Sequence, residues 1–487
     1  MSAVTDPSPV TAATRRRPTL LLIAVLGGML LALLDQTIVS TALPRIAADL
    51  PGTAPYGWVV TAYLLGITVT GPLYGRLSDR YGRKRLLLIG IGIFLLGSAL
   101  CGCARTMAQL IACRGVQGLG AGALMPLSLA LATELFPPGR RGRVQGALGG
   151  VMALSYVAGP FAGGMLTDHA TWRWIFLVNL PIGAAVVVLI AALLPGRPPP
   201  GQPVRPDYLG ILTFTTAVSA LLIGLTEKGG AGRTPWTDHR VWVPLALAAV
   251  MTVVCLRVES RAAEPLIPLH LFRNRTYTVI SIASAGSAFA LYSSVVYLPR
   301  YFQTARDADA TASGLRIYPL FLGIVAGSML AGAVIGRTGR YRLVFLGAGL
   351  LLGAGAYLFT QVTTDTGTGA LATWMLLLGL GLGPALSGLT LAIQDAVPPA
   401  HLGTATGNLG FFRQVGGALT LALADTVYAG VAHHDLARHG VRATSALATA
   451  AVVPRLAAVG AAALVLTAVF IPAHRPPARG RTPAPSG

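Results

Sequence analysis

Charge is what this chain has least of. Of its 487 residues 11% are charged, against about 25% in ordinary soluble domains, whereas 54% are hydrophobic and the mean hydropathy is +0.66. A chain of this composition cannot give itself a hydrated surface, which excludes a soluble globular protein and defines a polytopic membrane protein. Acid is scarcer still than base, with 17 Asp and Glu against 37 Lys and Arg. In a soluble protein that excess would suggest a nucleic-acid partner. Here the bases fall in short loops between apolar runs, where they set topology, so no nucleic-acid partner is expected. Cysteine is sparse: Cys101, Cys103, Cys113 and Cys255 fall within apolar spans, and a membrane-buried C-x-C is not a zinc spacing. They read as small apolar residues. The chain also lacks a G-x-S-x-G elbow, an H-E-x-x-H pair and a phosphate-binding G-x-x-x-x-G-K loop. No catalytic residue, metal or cofactor is therefore expected, and with no nucleotide site the energy source would be an ion gradient.

What the chain has instead is length in apolar runs. Fourteen stretches, from 18–43 to 454–472, are long enough to cross a bilayer, which takes about 17–25 residues each. The spacing predicts a cytoplasmic tail without structure over 1–17 and a six-helix bundle over 18–194. A proline-rich cytoplasmic linker (195–208) and an inserted helix pair (209–257) follow, then a second six-helix bundle (277–472) and a second cytoplasmic tail (473–487). Lys and Arg concentrate in the loops that are cytoplasmic if the N-terminus is inside, and both termini are expected there. An internal repeat supports two halves. ELFPPGRRGRVQG, from Glu134, aligns with DAVPPAHLGTATG, from Asp395, at an offset of 261 residues.

Within the first span, Leu30–Pro44 reads LLALLDQTIVSTALP and holds one carboxylate, Asp35. An ionised Asp at the centre of a membrane helix is unfavourable by about 2.5–3.5 kcal/mol, so Asp35 is expected to face a water-filled cavity and to function. The fourth span carries a cation, Arg114, in RGVQGLG. At about 1.5 Å per residue from their outer ends, Arg114 and Asp35 lie at similar depth and can meet. A carboxylate that holds an arginine in one conformation and loses it in another can take up and release a proton. In the second half Arg413 and Gln414, within GFFRQVGG, and Asp425 further along the same span, are candidates for a second proton site or a substrate site.

Between the second and third spans lies Gly75-Arg76-Leu77-Ser78-Asp79-Arg80-Tyr81-Gly82-Arg83-Lys84. This loop resembles the signature G-x-L-x-D-R-x-G-R-K of the major facilitator superfamily, and LDQTIVSTALP resembles the first-helix motif of its fourteen-helix drug:proton antiporters, with Ser40 in place of Asn. Ala158-Gly159-Pro160-Phe161-Ala162-Gly163-Gly164 resembles their antiporter motif, and FLVNLPIG after Trp172-Arg173-Trp174 matches their sixth span. That tryptophan-rich segment reads as an interfacial anchor.

The resemblance implies an all-α fold of two six-helix bundles plus two inserted helices. It implies an inner gate at Gly75, Asp79, Arg80, Gly82, Arg83 and Glu134, and a share in proton transfer for Arg114. It also implies that Gly159, Pro160, Gly163 and Gly164 pack against another helix, expected to be the tenth span through Gly323, Gly327, Gly332 and Gly336. The function expected is proton-driven export of small organic drugs or antibiotics, amphipathic and often cationic, by a monomer in the cell inner membrane. An exporter of an endogenous metabolite, an uptake symporter and a non-transporting sensor are the alternatives.

Overall fold

The computed structural model describes residues 18–51, 57–135, 141–194, 208–229, 234, 236–262, 269–397 and 402–471. The expected tails, and the linker up to residue 207, lie outside these. So do the proline pairs of the internal repeat, Pro137-Pro138 and Pro398-Pro399. Every described element is a helix, because a backbone surrounded by lipid must satisfy its own N–H and C=O groups.

The first half comprises α1 (Pro18–Asp49), α2 (Trp58–Tyr81), α3 (Arg83–Gly102), α4 (Met107–Leu135), α5 (Arg141–His169), the short α6 (Trp174–Leu177) and α7 (Asn179–Leu193). The inserted pair is α8 (Tyr208–Gly229) and α9 (His239–Glu259). The second half comprises α10 (Arg275–Thr304), α11 (Ala310–Arg316), α12 (Tyr318–Thr338), α13 (Tyr341–Phe359), α14 (Thr368–Ala396) and α15 (Leu402–Phe470). Among the described residues twelve helical stretches are long and apolar enough to cross a membrane, and Leu209–Leu225 is a shorter apolar helix. The last stretch is itself two helices joined at Gly440, whose φ of 74° interrupts the helical backbone. His433, His434, Asp435 and His439 are helical residues just before that break.

Two turns fix the halves internally, and both need glycine. α2 and α3 are joined by Gly82 alone, at φ 86°, and α12 ends on Gly339 at φ 64°. A side chain strains that region of backbone space. Gly339 stands in Gly336-Arg337-Thr338-Gly339-Arg340, a shortened counterpart of the signature loop; both turns need positive φ, but their ψ angles, 135° at Gly82 and 11° at Gly339, make them different turns. Lys84 then ties the start of α3 to the end of α7, donating to the Ala191 carbonyl at 2.8 Å and to that of Leu194.

The two halves meet closely at one end, the end at which α1 finishes. Gln303 Nε2 of α10 donates to the Thr41 carbonyl of α1 at 2.7 Å. Asp168, at the end of α5, accepts from the backbone N–H of Thr311 at 2.7 Å and from its hydroxyl at 2.6 Å. The inserted pair leans on both halves, with Phe214 of α8 packed on Phe411 of α15 at 5.0 Å between ring centroids.

Candidate functional site

Asp35 and Arg114 do meet. Arg114 Nη1 donates to Asp35 Oδ2 at 2.6 Å, with both side chains essentially inaccessible to solvent. The expected water-filled cavity is not there: Asp35 is 0% exposed and enclosed by donors from neighbouring helices. Gln117 Nε2 and Asn179 Nδ2 donate to Asp35 Oδ1 at 2.8 and 3.0 Å, and both also reach Ser98 Oγ, at 3.2 and 3.0 Å. Ser98 in turn donates to the Phe176 carbonyl at 2.8 Å. The guanidinium makes further bonds, from Nη1 to Gln117 Oε1 at 2.7 Å and from Nε to the Val59 carbonyl at 3.2 Å, and it lies 4.0 Å over the Tyr63 ring. Arg114 and Gln117 share a face of α4 because three residues are nearly one helical turn. The site thus draws on α1, α2, α3, α4 and α7.

Enclosure on this scale has a chemical meaning. A buried carboxylate is tolerable only when paired and hydrogen-bonded, and here both requirements are met by groups that can part from it. One carboxylate is held by side chains from different helices, so a change in its pairing bears on how those helices pack.

Sequence reasoning missed most of this shell. Gln117 had a signal, its position three residues after Arg114. Asn179 was assigned to an interfacial anchor, yet its carboxamide touches Asp35. The tryptophans also differ from expectation: Trp172 is buried, edge-on to Phe176, and only Trp174 is exposed. Ser98 carried no signal of its own. Cys103 lies just beyond the end of α3 rather than inside it.

The second-half candidates occupy two separate places. Asp425 of α15 is buried, accepts from Tyr297 Oη of α10 at 2.5 Å, and accepts from the backbone N–H of Gly57 at 2.9 Å. It is part of the contact between the halves. Arg413 is half-buried, with its Nε enclosed and without a hydrogen-bond partner. Beside it, Tyr292 Oη donates to Gln414 Oε1 at 2.7 Å, and Tyr156 stacks on Phe321 at 5.1 Å between centroids.

Of the expected inner gate, Gly82 is the turn described above, Gly75 is a helical residue of α2, and Arg83 begins α3. The side chains of Asp79, Arg80 and Glu134 lie outside what the structure describes. The antiporter motif needs a correction. Gly159 and Gly163 pack on α1, against Thr37, Ile38 and Thr41, where Thr37 Oγ1 also donates to the Ser155 carbonyl at 2.9 Å. The tenth span is indeed a neighbour, but through its start: Gly164 abuts Ala310 and Thr311, and Gly314 abuts the Pro160 carbonyl. Gly323 and Gly327 instead admit the backbone of α14, and Gly332 and Gly336 face open space. Among the described residues no cluster of His, Cys, Asp or Glu could hold a metal ion.

Two helical bundles, the first of them enclosing a buried acid–arginine pair, are the architecture of a membrane transporter, and comparison with known proteins supplies the family. A family model described as Major Facilitator Superfamily matches residues 25–421. The chain belongs to the major facilitator superfamily and is a transporter, not an enzyme. It is 34% identical over 409 residues to Multidrug transporter protein MdtP of Bacillus subtilis, covering 84% of this chain and 75% of that one. It is 33% identical over 440 residues to Efflux pump FUS6 of Gibberella moniliformis, covering 89% and 78%. Among solved structures it resembles a D-xylose-proton symporter, with a TM-score of 0.62 and 17% identity over 93% of this chain and 97% of that one, a likeness of fold alone.

Proposed function

We propose that the protein exports small amphipathic organic compounds in exchange for protons by alternating access. The observation that carries the proposal is the Asp35–Arg114 pair, a titratable group held by separable partners in the interior of a bundle whose relatives include a multidrug transporter and an efflux pump. It lies inside the first half rather than between the halves, so a proton on Asp35 acts by altering how α1, α4 and α7 pack. Because α1 also carries the surface on which Gly159 and Gly163 of α5 sit, and reaches α10 through Thr41, such repacking bears on the contact between the halves.

In this reading the chain has fourteen spans, counting α8 and dividing α15 at Gly440, and works as a monomer. Both termini face the cytoplasm of the cell inner membrane. The end tied by Asp168, Gln303 and Asp425 then faces outward, and the bonds between the halves there belong to a state closed to the outside. Asp79, Arg83 and Glu134 would latch the opposite end in the alternate state.

The test is efflux of three fluorescent dyes, one cationic, one neutral and one anionic, from cells lacking their own pumps. Wild type and Asp35→Asn are compared with and without a protonophore. Export that collapses with the proton gradient and is lost in Asp35→Asn is the expected result. Equal export by the variant would move the coupling site away from the first span.

A further inference from the structure

Among the described residues the buried acids of the two six-helix halves are already taken. Asp35 is closed off by Arg114, Gln117 and Asn179, and Asp425 by Tyr297 and Gly57. Glu259, also buried, lies at the end of α9 in the inserted pair. In the second half a charge of the other sign is left over. Arg413 on α15 keeps a buried Nε with no acceptor, and the titratable groups within electrostatic reach of it are the phenols of Tyr156 on α5 and Tyr292 on α10, not carboxylates. An unmatched guanidinium inside a protein is unfavourable unless an anion completes it.

We infer that Arg413 is the anchor for an anionic group of the substrate, so that the transported class is amphipathic organic anions, carboxylates or sulfonates carried on an aromatic or aliphatic body. This rests on the transporter reading and names its substrate. The surroundings suit such a ligand. Arginine presents a planar fork of donors that matches a carboxylate in two parallel bonds. Gln414 adds a second donor, because Tyr292 holds its carboxamide by the oxygen and leaves the NH2 available. The Tyr156–Phe321 pair, stacked and itself buried, joins α5 of the first half to α12 of the second. A ligand held by Arg413 beside the Tyr156 phenol would therefore sit where the two halves meet.

The experiment is direct binding to the purified full-length protein, so that it does not depend on transport direction or proton coupling. Three probes share one body: 1-pyrenebutyrate, its methyl ester, and the corresponding pyrenebutyl-trimethylammonium cation. Energy transfer from protein tryptophan to pyrene reports binding. Wild type is expected to bind the carboxylate about tenfold or more tightly than either analogue, as a charge-assisted bond to an enclosed donor allows. Arg413→Gln and Arg413→Met are expected to erase that preference, and Asp35→Asn to retain it. Wild type that prefers the cation or the ester, or binds none of the three, overturns the inference without recourse to a variant. So does a preference that survives in both neutral variants. Loss of proton-driven export in Asp35→Asn together with retained carboxylate preference separates a failure of coupling from a failure of the anion site.

Discussion

The Asp425 carboxylate accepts the backbone N–H of Gly57 across 368 residues of chain, at 2.9 Å. Gly57 precedes α2 in the first half and Asp425 lies on α15 in the second, so this one bond crosses between the halves. Tyr297 holds the other carboxylate oxygen, and Arg300 covers the Tyr428 ring at 3.7 Å close by. Together with Gln303–Thr41 and Asp168–Thr311 it makes a line of polar contacts along one end.

Asp425→Asn is expected to loosen that end. A hydrogen bond to a charged group contributes about 1.5–3 kcal/mol, so its loss should raise the population open at that end by about tenfold or more. Hydrogen exchange at the start of α2 checks this directly, with the Gly57 amide expected to exchange faster in the variant. Unchanged exchange would mean that the carboxylate does not hold the halves.

The pair inside the first half should behave as a unit. Arg114→Ala leaves a buried carboxylate without its cation, which is unfavourable by about 3–5 kcal/mol. Asp35→Asn in the same chain removes the stranded charge. The double variant should accordingly melt above the Arg114→Ala single variant. Additive losses in a thermal-shift cycle would argue against a functional pair.

The glycines separate into two groups. A Cβ at Gly159 or Gly163 would run into Thr37, Ile38 or Thr41 of α1, whereas one at Gly332 or Gly336 meets nothing within 4 Å. Gly159→Val and Gly163→Val should therefore abolish folded yield or export, and Gly332→Ala and Gly336→Ala should leave both near wild type. Yield by size-exclusion chromatography and dye efflux decide the matter together.

At the turns, Gly82→Ala is expected to destabilise by about 1–3 kcal/mol, a typical strain for a sparsely populated backbone region. Gly339→Ala, in the left-handed helical region, should destabilise by about 1–2 kcal/mol. Both should lower the melting temperature without altering ligand binding.

How far the sequence could be read follows from what each signal depends on. Membrane spans were legible because lipid imposes length and apolarity on every crossing; their ends were less so, since α1 runs on to Asp49 and the last two helices run together as α15, broken only at Gly440 where the last span was expected from 454. Asp35 and Arg114 were legible because a charge in an apolar run is conspicuous and helical rise gives its depth. Asn179 and Ser98 were not, since a neutral polar residue in a span has no depth signature that names its partner. The glycine surfaces misled for a related reason. Gly323 and Gly327 form a small-residue face, but only packing shows that α14 fills it. Asp35 was expected beside water because composition says that a charge needs a partner, not which kind.

The closed acid–arginine pair has an electrical consequence. Asp35 and Arg114 together carry no net charge, so helices that move with the pair intact displace almost none across the membrane field. The voltage dependence of the cycle must then come from what is carried. Each unit charge crossing the full field is worth about 2.3 kcal/mol per 100 mV. A proton moving inward and an anion moving outward are both driven by an interior-negative potential. For such a pair of cargoes, the membrane potential is a larger share of the driving force than it is in cation export.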